Sequence, residues 1–244
     1  MIKLHSAGST DVGLWRSNNE DAHLIMPQAR VFALADGMGG AAAGEVASQY
    51  FIEAARAVFS NLSSSSEHTG RALVQAVFSS ANERILEHIV QHPDDDGMGC
   101  TGDLLVFDED QYIIGHVGDS RVYLLRDGSL RQLTTDHSLV QSQVDNGMLT
   151  PEEAKHHPRK NILLRAVGTD SPETCDILEE TVLDGDIFLL CSDGLTDMVD
   201  DLAIEDILAS SESLQHKAES LISGALAAGG KDNVTVVLCE AEIA

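Results

Sequence analysis

Four times in this chain a short apolar run meets an aspartate. The stretches are VFALADGMGG with Asp36, IIGHVGDSR with Asp119, IFLLCSDGL with Asp193, and GGKDNVTVVLCE, where Asp232 leads into its run. One Asp-Gly after a strand reads as a turn, because both residues tolerate the backbone angles that turns need. Four such junctions carry more weight. Neighbouring strands bring their ends together, so the pattern predicts carboxylates converging at one sheet edge. The acidic pair Glu20-Asp21 in WRSNNEDAH is a fifth contributor.

Two carboxylates ~4 Å apart repel by about 4 kcal/mol at an effective dielectric near 20. Such a cluster calls for a cation. Oxygen donors without converging His or Cys favour a hard divalent ion, Mg²⁺ or Mn²⁺. Gly37 lets the backbone approach closely, so its carbonyl is a further candidate ligand. Arg16, just before Glu20, is either a surface arginine or a bidentate phosphate anchor. A pair of ions can activate a bridging water and clamp a phosphoryl group. From the residues alone, the chemistry indicated is metal-dependent phosphoester hydrolysis.

The remaining sequence narrows the partners. Forty acidic residues against 15 Lys+Arg give a formal charge of −25. That charge repels nucleic-acid phosphates and anionic lipid, so neither is expected as a partner. The 43% hydrophobic content supports a sizeable core. Cys100, Cys175, Cys191 and Cys239 form no CxxC pair and are expected as buried thiols. The first residues lack a signal-peptide core and no apolar run approaches ~20 residues, which suggests a cytoplasmic protein.

Strands are expected at 24–26, 31–35, 103–107, 112–117, 122–126, 181–182, 187–191 and 234–240, with RDGSL at 126–130 as a hairpin turn. Helical periodicity covers 44–59 and 71–91, and a third helix runs through LQHKAESLISGALAAGG to a glycine cap. This order is not strict βαβ alternation and points to an α+β layered fold. The polar insert at 136–168 reads as a small helical flap, with Thr150-Pro151-Glu152-Glu153 as a helix start. The serine run at 63–66 reads as a surface loop.

RSNNED, ADGMGG, GHVGDSRVY, LTTDHS, LLCSDGLTD and GGKDNVTVV, in this order, resemble the metal-dependent Ser/Thr protein phosphatases of type 2C (the PPM family) in their compact bacterial form. The resemblance covers essentially the whole chain. It implies one domain over residues 1–244, built as a four-layer α-β-β-α sandwich of two antiparallel sheets flanked by helices, with the flap. By the resemblance, Asp36 bridges two Mn²⁺ or Mg²⁺ ions, the Gly37 carbonyl joins the second, and Asp193 and Asp232 complete the first. Glu20 and Asp21 hold metal-bound waters, Arg16 binds the substrate phosphate, and Asp119 with Asp193 forms a third ion site. A metal-bridging hydroxide attacks phosphorus in line, without a phospho-enzyme. The implied substrate is a phosphoserine or phosphothreonine protein, the implied counterpart a separately encoded Ser/Thr kinase, and the expected state a monomer. The alternative is a catalytically weak phosphoprotein-binding scaffold.

Two positions depart from the family pattern. Met38 stands where many relatives outside bacteria carry a histidine proposed to protonate the leaving group. Asp103, in MGCTGDLLVF, places a charge in a core strand, either at its solvent edge or toward the acidic site. His116 is expected as a core histidine and His137 as a structural hydrogen-bonding group. Arg159 and Lys160 are expected on the flap surface, with contact to an acidic phosphopeptide as the other reading.

Overall fold

The computed structural model describes residues 2–39, 43–60, 69–169 and 175–243; the serine run at 63–66 lies outside the described residues. The chain opens with strands β1 (Ile2–Asp11), β2 (Asp21–Met26) and β3 (Val31–Met38), then helices α1 (Gly44–Ser60) and α2 (Gly70–Gln91). Five strands follow: β4 (Gly99–Cys100), β5 (Gly102–Asp108), β6 (Gln111–Val117), β7 (Arg121–Arg126) and β8 (Ser129–Gln132). Short helices α3 (Leu139–Asp145) and α4 (Pro151–Lys155) form the flap. The chain ends with β9 (Asp176–Thr181), β10 (Ile187–Cys191), α5 (Asp193–Thr196), α6 (Asp201–Ala209), α7 (Leu214–Ala227) and β11 (Val234–Ile243).

The strands form two antiparallel sheets, ordered β1-β11-β10-β7-β8 and β2-β3-β5-β6-β9, with β4 pairing β3. Side-chain alternation explains how they stack. In β3, Phe32 and Leu34 join Leu105, Leu124, Phe188 and Val237 in a core between the sheets. Ala33 and Ala35 point the other way, to Phe51, Val74 and Ile85 of α1 and α2. Leu189, Val236 and Leu238 of the other sheet face Ile204 and Leu221 of α6 and α7. Each central strand is thus buried on both faces, so its sequence reads as a continuous apolar run rather than an alternating one. The layers are α-β-β-α, as the resemblance implies. Phe188 fixes the middle core through edge contacts to Phe107 and Tyr112, with ring centroids 5.4 and 4.8 Å apart.

The edge strands escape an apolar-run reading. Half-exposed β1 pairs β11 along its whole length, from Ile2↔Ile243 to Asp11↔Val234, yet is absent from the expected strands. Strand β9, DILEET, precedes the expected 181–182 because it too is a polar edge. The turn at 127–128 is as expected. Asp127 and Gly128 have φ of 53° and 76°, positive at both positions as a type I′ hairpin requires.

The Thr150–Glu153 capping box is present, with side chain and backbone reciprocally bonded. The flap returns to the body through paired backbone bonds between Cys100 and Val167, at 3.0 and 2.8 Å. Its base is held by Arg121, which grips Asp136 with two bonds of 2.9 and 2.7 Å. All four cysteines are buried and free. Among the described residues, no helix is long and apolar enough to cross a membrane.

Candidate metal and phosphate site

Antiparallel pairing of β2 and β3 sets Asp21 opposite Asp36. The end of β3 is locked by Thr101. Its Oγ1 accepts the Asp36 N–H at 2.9 Å, and its own N–H donates to the Asp36 carbonyl at 2.8 Å. Thr101 Oγ1 also lies 2.7 Å from Ser120 Oγ, which ties this strand end to the turn carrying Asp119. Gly37 allows a close approach: a Cβ there would lie 2.1 Å from the Gly44 carbonyl oxygen and 2.7 Å from that of Glu20. The Glu20 backbone N–H donates to Asn233 Oδ1 at 2.8 Å, and Asn233 Nδ2 donates to Val12 and Asn18 carbonyls at 2.9 Å each. One buried amide thus holds the loop bearing Arg16 and Glu20 against the loop bearing Asp232.

Asp193 begins α5 at the end of β10, where β11 starts beside it. Position 194 must be glycine, since a Cβ would fall 1.9 Å from the Asn233 carbonyl oxygen. Ser192 Oγ donates to Asp21 Oδ2 at 2.8 Å and accepts the Thr235 N–H at 3.0 Å. Arg16, Glu20, Asp36, Gly37, Asp119, Asp193 and Asp232 all line one cleft of about 210 Å³, joined by Met38, Thr101 and Asn233. Asp21 stands behind it.

These carboxylates raise one another's proton affinity. Burial, then the charges of Asp21, Asp193, Asp119 and Asp232, hold the Asp36 carboxyl well above its ordinary pKa. Asp193 is raised for the same reasons, led by burial and Asp119. Burial pushes Asp21 to about 6 against hydrogen bonds from Thr235 and Ser192. Burial and then Asp136 push Asp119 to about 7. Asp21 Oδ1 is buried with no hydrogen-bond partner. A crowded acidic set with an orphaned oxygen suits a hard divalent cation. Among the described residues, no three His, Cys, Asp or Glu side chains close a ready cage around one ion. A Mg²⁺-like shell needs only one or two carboxylates per ion and fills the rest with water, so the open arrangement fits.

Arg16 differs from a free phosphate anchor. Its Nη2 sits 2.7 Å from Asp232 Oδ2, and that hydrogen bond raises its already high pKa. Asp103 follows neither expected course. It is fully buried in β5, with Oδ1 2.7 Å from His116 Nδ1 on the facing residue of β6. His116 Nε2 lies 3.1 Å from the Thr135 carbonyl, and its ring centroid lies 4.7 Å from that of His137 with the planes tilted by 33°. His137 Nδ1 accepts the Gly118 N–H at 3.1 Å, so both histidines are structural, as expected. Lys160 is paired with Asp197, which leaves Arg159 as the unengaged flap cation of that pair of residues.

Thr101, Ser192 and Asn233 are missing from the sequence-derived set. Each lies next to or within a motif, but its role is to join separate motifs, which needs contacts between distant residues.

A sequence profile described as Protein phosphatase 2C matches residues 16–227. The serine/threonine protein phosphatase PstP of Mycobacterium tuberculosis is 43% identical over 241 residues, 98% of this chain but 45% of that protein. This chain therefore spans less than half the length of its mycobacterial relative. The serine/threonine phosphatase stp of Listeria welshimeri is 40% identical over 245 residues, 97% of this chain and 96% of that protein. The crystal structure of M. tuberculosis PstP/Ppp superposes with a TM-score of 0.91 at 40% identity, each chain fully covered. The PstP catalytic domain in complex with two manganese ions gives 0.90 at 39% identity, again with full coverage of both chains. With the four layers and the acidic cleft already in place, these likenesses show that the chain belongs to the protein phosphatase 2C family.

Proposed function

We propose that the chain is a metal-dependent serine/threonine protein phosphatase acting as one unit. The observation that carries this reading is Asp36, ringed by four other carboxylates at a cleft that Arg16 alone of the described Lys and Arg residues lines. Asp36, the Gly37 carbonyl, Asp193 and Asp232 would hold two divalent ions, with Glu20 and Asp21 fixing coordinated waters. Asp119 and Asp193 would take a third. Such ions supply a water that is nucleophilic at neutral pH and a positive seat for phosphoryl oxygens. Mn²⁺ or Mg²⁺ fits the oxygen-only set.

The protein's own contribution is positional and electrostatic. Arg16, released from Asp232, orients the phosphate with two N–H donors. Asp36, fixed by Thr101, accepts a hydrogen bond from the attacking water and aims it at phosphorus. Met38 lines the cleft but has no proton to give, so the leaving alkoxide takes its proton from water in the open cleft. Substrates are phosphoserine and phosphothreonine proteins, the counterpart is a separately encoded kinase, and the enzyme works as a cytoplasmic monomer. The test is hydrolysis of p-nitrophenyl phosphate and phosphothreonine peptides with Mn²⁺. EDTA and Asp36→Asn should each abolish it; full activity in either case refutes the assignment.

A further inference from the structure

Leu14 and Trp15, immediately before Arg16, are among the most exposed large apolar residues of the chain, at 67% and 75%. A scattered exposed apolar side chain is ordinary. These two are held in place. Leu14 donates its N–H to the Gly230 carbonyl at 2.7 Å, and the Trp15 indole N–H donates to the Gly229 carbonyl at 3.2 Å. Arg16 continues the series to Asp232 at 2.7 Å. The two loops touch backbone to backbone: at Gly13, with φ of +78°, a Cβ would lie 2.2 Å from the Asp232 carbonyl oxygen. At Gly230, with φ of +50°, a Cβ would lie 2.9 Å from Leu14 Cγ. Neither glycine is replaceable without moving the shelf that Trp15 stands on.

We propose that Leu14 and Trp15 form an apolar shelf that receives an apolar side chain flanking the phosphorylated residue of a polypeptide substrate, which makes Trp15 a specificity-determining residue. The inference rests on the reading of the cleft as a phosphoprotein phosphatase site. With no cis peptide in the described chain, the Trp15 Cα lies ~3.8 Å from that of Arg16. An extended substrate advances ~3.4 Å per residue, so when Arg16 holds the phosphate, a side chain near the phosphoresidue comes within reach of the indole. The Trp15 indole N–H is already bonded to the Gly229 carbonyl, so the exposed face of the shelf is apolar and suits an apolar side chain. A rigid, pre-positioned aromatic loses little freedom on binding, the property that makes such residues anchors at recognition surfaces.

The experiment compares wild type, Trp15→Ala and Trp15→Phe with Mn²⁺ on three substrates: p-nitrophenyl phosphate, a phosphothreonine peptide flanked by leucines, and the same peptide flanked by serines. Trp15→Ala should raise KM for the leucine-flanked peptide about five- to tenfold while leaving kcat within about twofold, the size of change that loss of an aromatic contact brings. The serine-flanked peptide and p-nitrophenyl phosphate should change less than about twofold, and Trp15→Phe should recover most of the loss. Equal losses on all three substrates would make Trp15 a mere support for Arg16 and overturn the proposal, as would no change on the leucine-flanked peptide. Trp15 is the chain's single tryptophan, so its fluorescence gives a second readout with non-hydrolysable phosphonate versions of both peptides. An emission change with the leucine-flanked phosphonate alone supports the shelf; an unchanged spectrum refutes it. Failure of wild type to hydrolyse p-nitrophenyl phosphate would strike the phosphatase reading instead, and the fluorescence comparison would still decide the shelf.

Discussion

The Arg16 guanidinium rests 2.7 Å from the Asp232 carboxylate, so a cation lining the cleft neutralises one of its acids. In the proposed enzyme Arg16 has two partners at different times: Asp232 without metal, and the substrate phosphate once the ions hold Asp232.

Arg16→Ala should therefore lower kcat/KM on p-nitrophenyl phosphate by about ten- to a hundredfold, the loss of a charged hydrogen bond worth ~1.5–3 kcal/mol. Arg16→Lys should recover only part of it, because an ammonium lacks the planar two-donor fork. Steady-state kinetics at saturating Mn²⁺ reads both.

In the proposed enzyme the carboxylate cluster serves metal binding and weakens the metal-free fold. Asp36→Asn should remove nearly all turnover yet raise the melting temperature in EDTA by about 2–4 °C, as expected for ~1 kcal/mol of relieved repulsion in a chain of this size. A variant less stable than wild type in EDTA would contradict this account of Asp36.

In the proposed enzyme, metal and protons compete for the same oxygens. Asp21 and Asp119 are raised to about 6 and about 7. The metal-free fold thus binds more protons than the unfolded chain between pH 4 and 7 (about the ordinary carboxylate pKa up to these raised values), so these groups stabilise it at low pH and that contribution fades as pH rises through 6 to 7. Mn²⁺ affinity should run the opposite way, weakening as pH falls below about 7 with protons released on binding. Calorimetric titration in two buffers of different ionisation enthalpy measures that release. At 100-fold excess over Kd, Mn²⁺ should add about 2.7 kcal/mol of stability that EDTA removes.

The buried Asp103–His116 pair should matter to folding far more than to catalysis. Burial lowers the His116 pKa, but the charge and hydrogen bond of Asp103 outweigh it and hold it raised. Asp103 is raised by burial against the pull of His116. The pair retains a proton that the unfolded chain releases above about pH 6.5, the ordinary histidine value, so its stabilising share fades on the alkaline side. His116→Ala should cost about 3–5 kcal/mol by stranding a buried carboxylate. Denaturant melts of both single variants and the double variant should show strong coupling.

Met38→His puts an imidazole in the cleft. It should speed hydrolysis of phosphothreonine peptides, whose alkoxide leaves poorly, and leave p-nitrophenyl phosphate unchanged, because nitrophenolate needs no proton to depart. Equal effects on both substrates would remove leaving-group protonation as the reason.

Much of this protein can be read from its residues. The apolar runs at 31–35, 187–191 and 234–240 became central strands buried on both faces, with Asp36, Asp193 and Asp232 at or beside one end of each. Local rules also fixed the positive-φ turn at Asp127-Gly128 and the capping box at Thr150. Tertiary structure decided the rest. Strands β1 and β9 are polar because they are edges, and only their pairing partners make them strands. Asp103 is tolerated in a core strand because antiparallel register sets His116 opposite it, a match made across 13 residues. Asn233 and Thr101 matter because each satisfies groups on loops distant in sequence. Asp36 itself shows the division. Its position after an apolar run placed it near the end of a strand, but its raised proton affinity comes from burial and from carboxylates that only the folded sheets bring beside it.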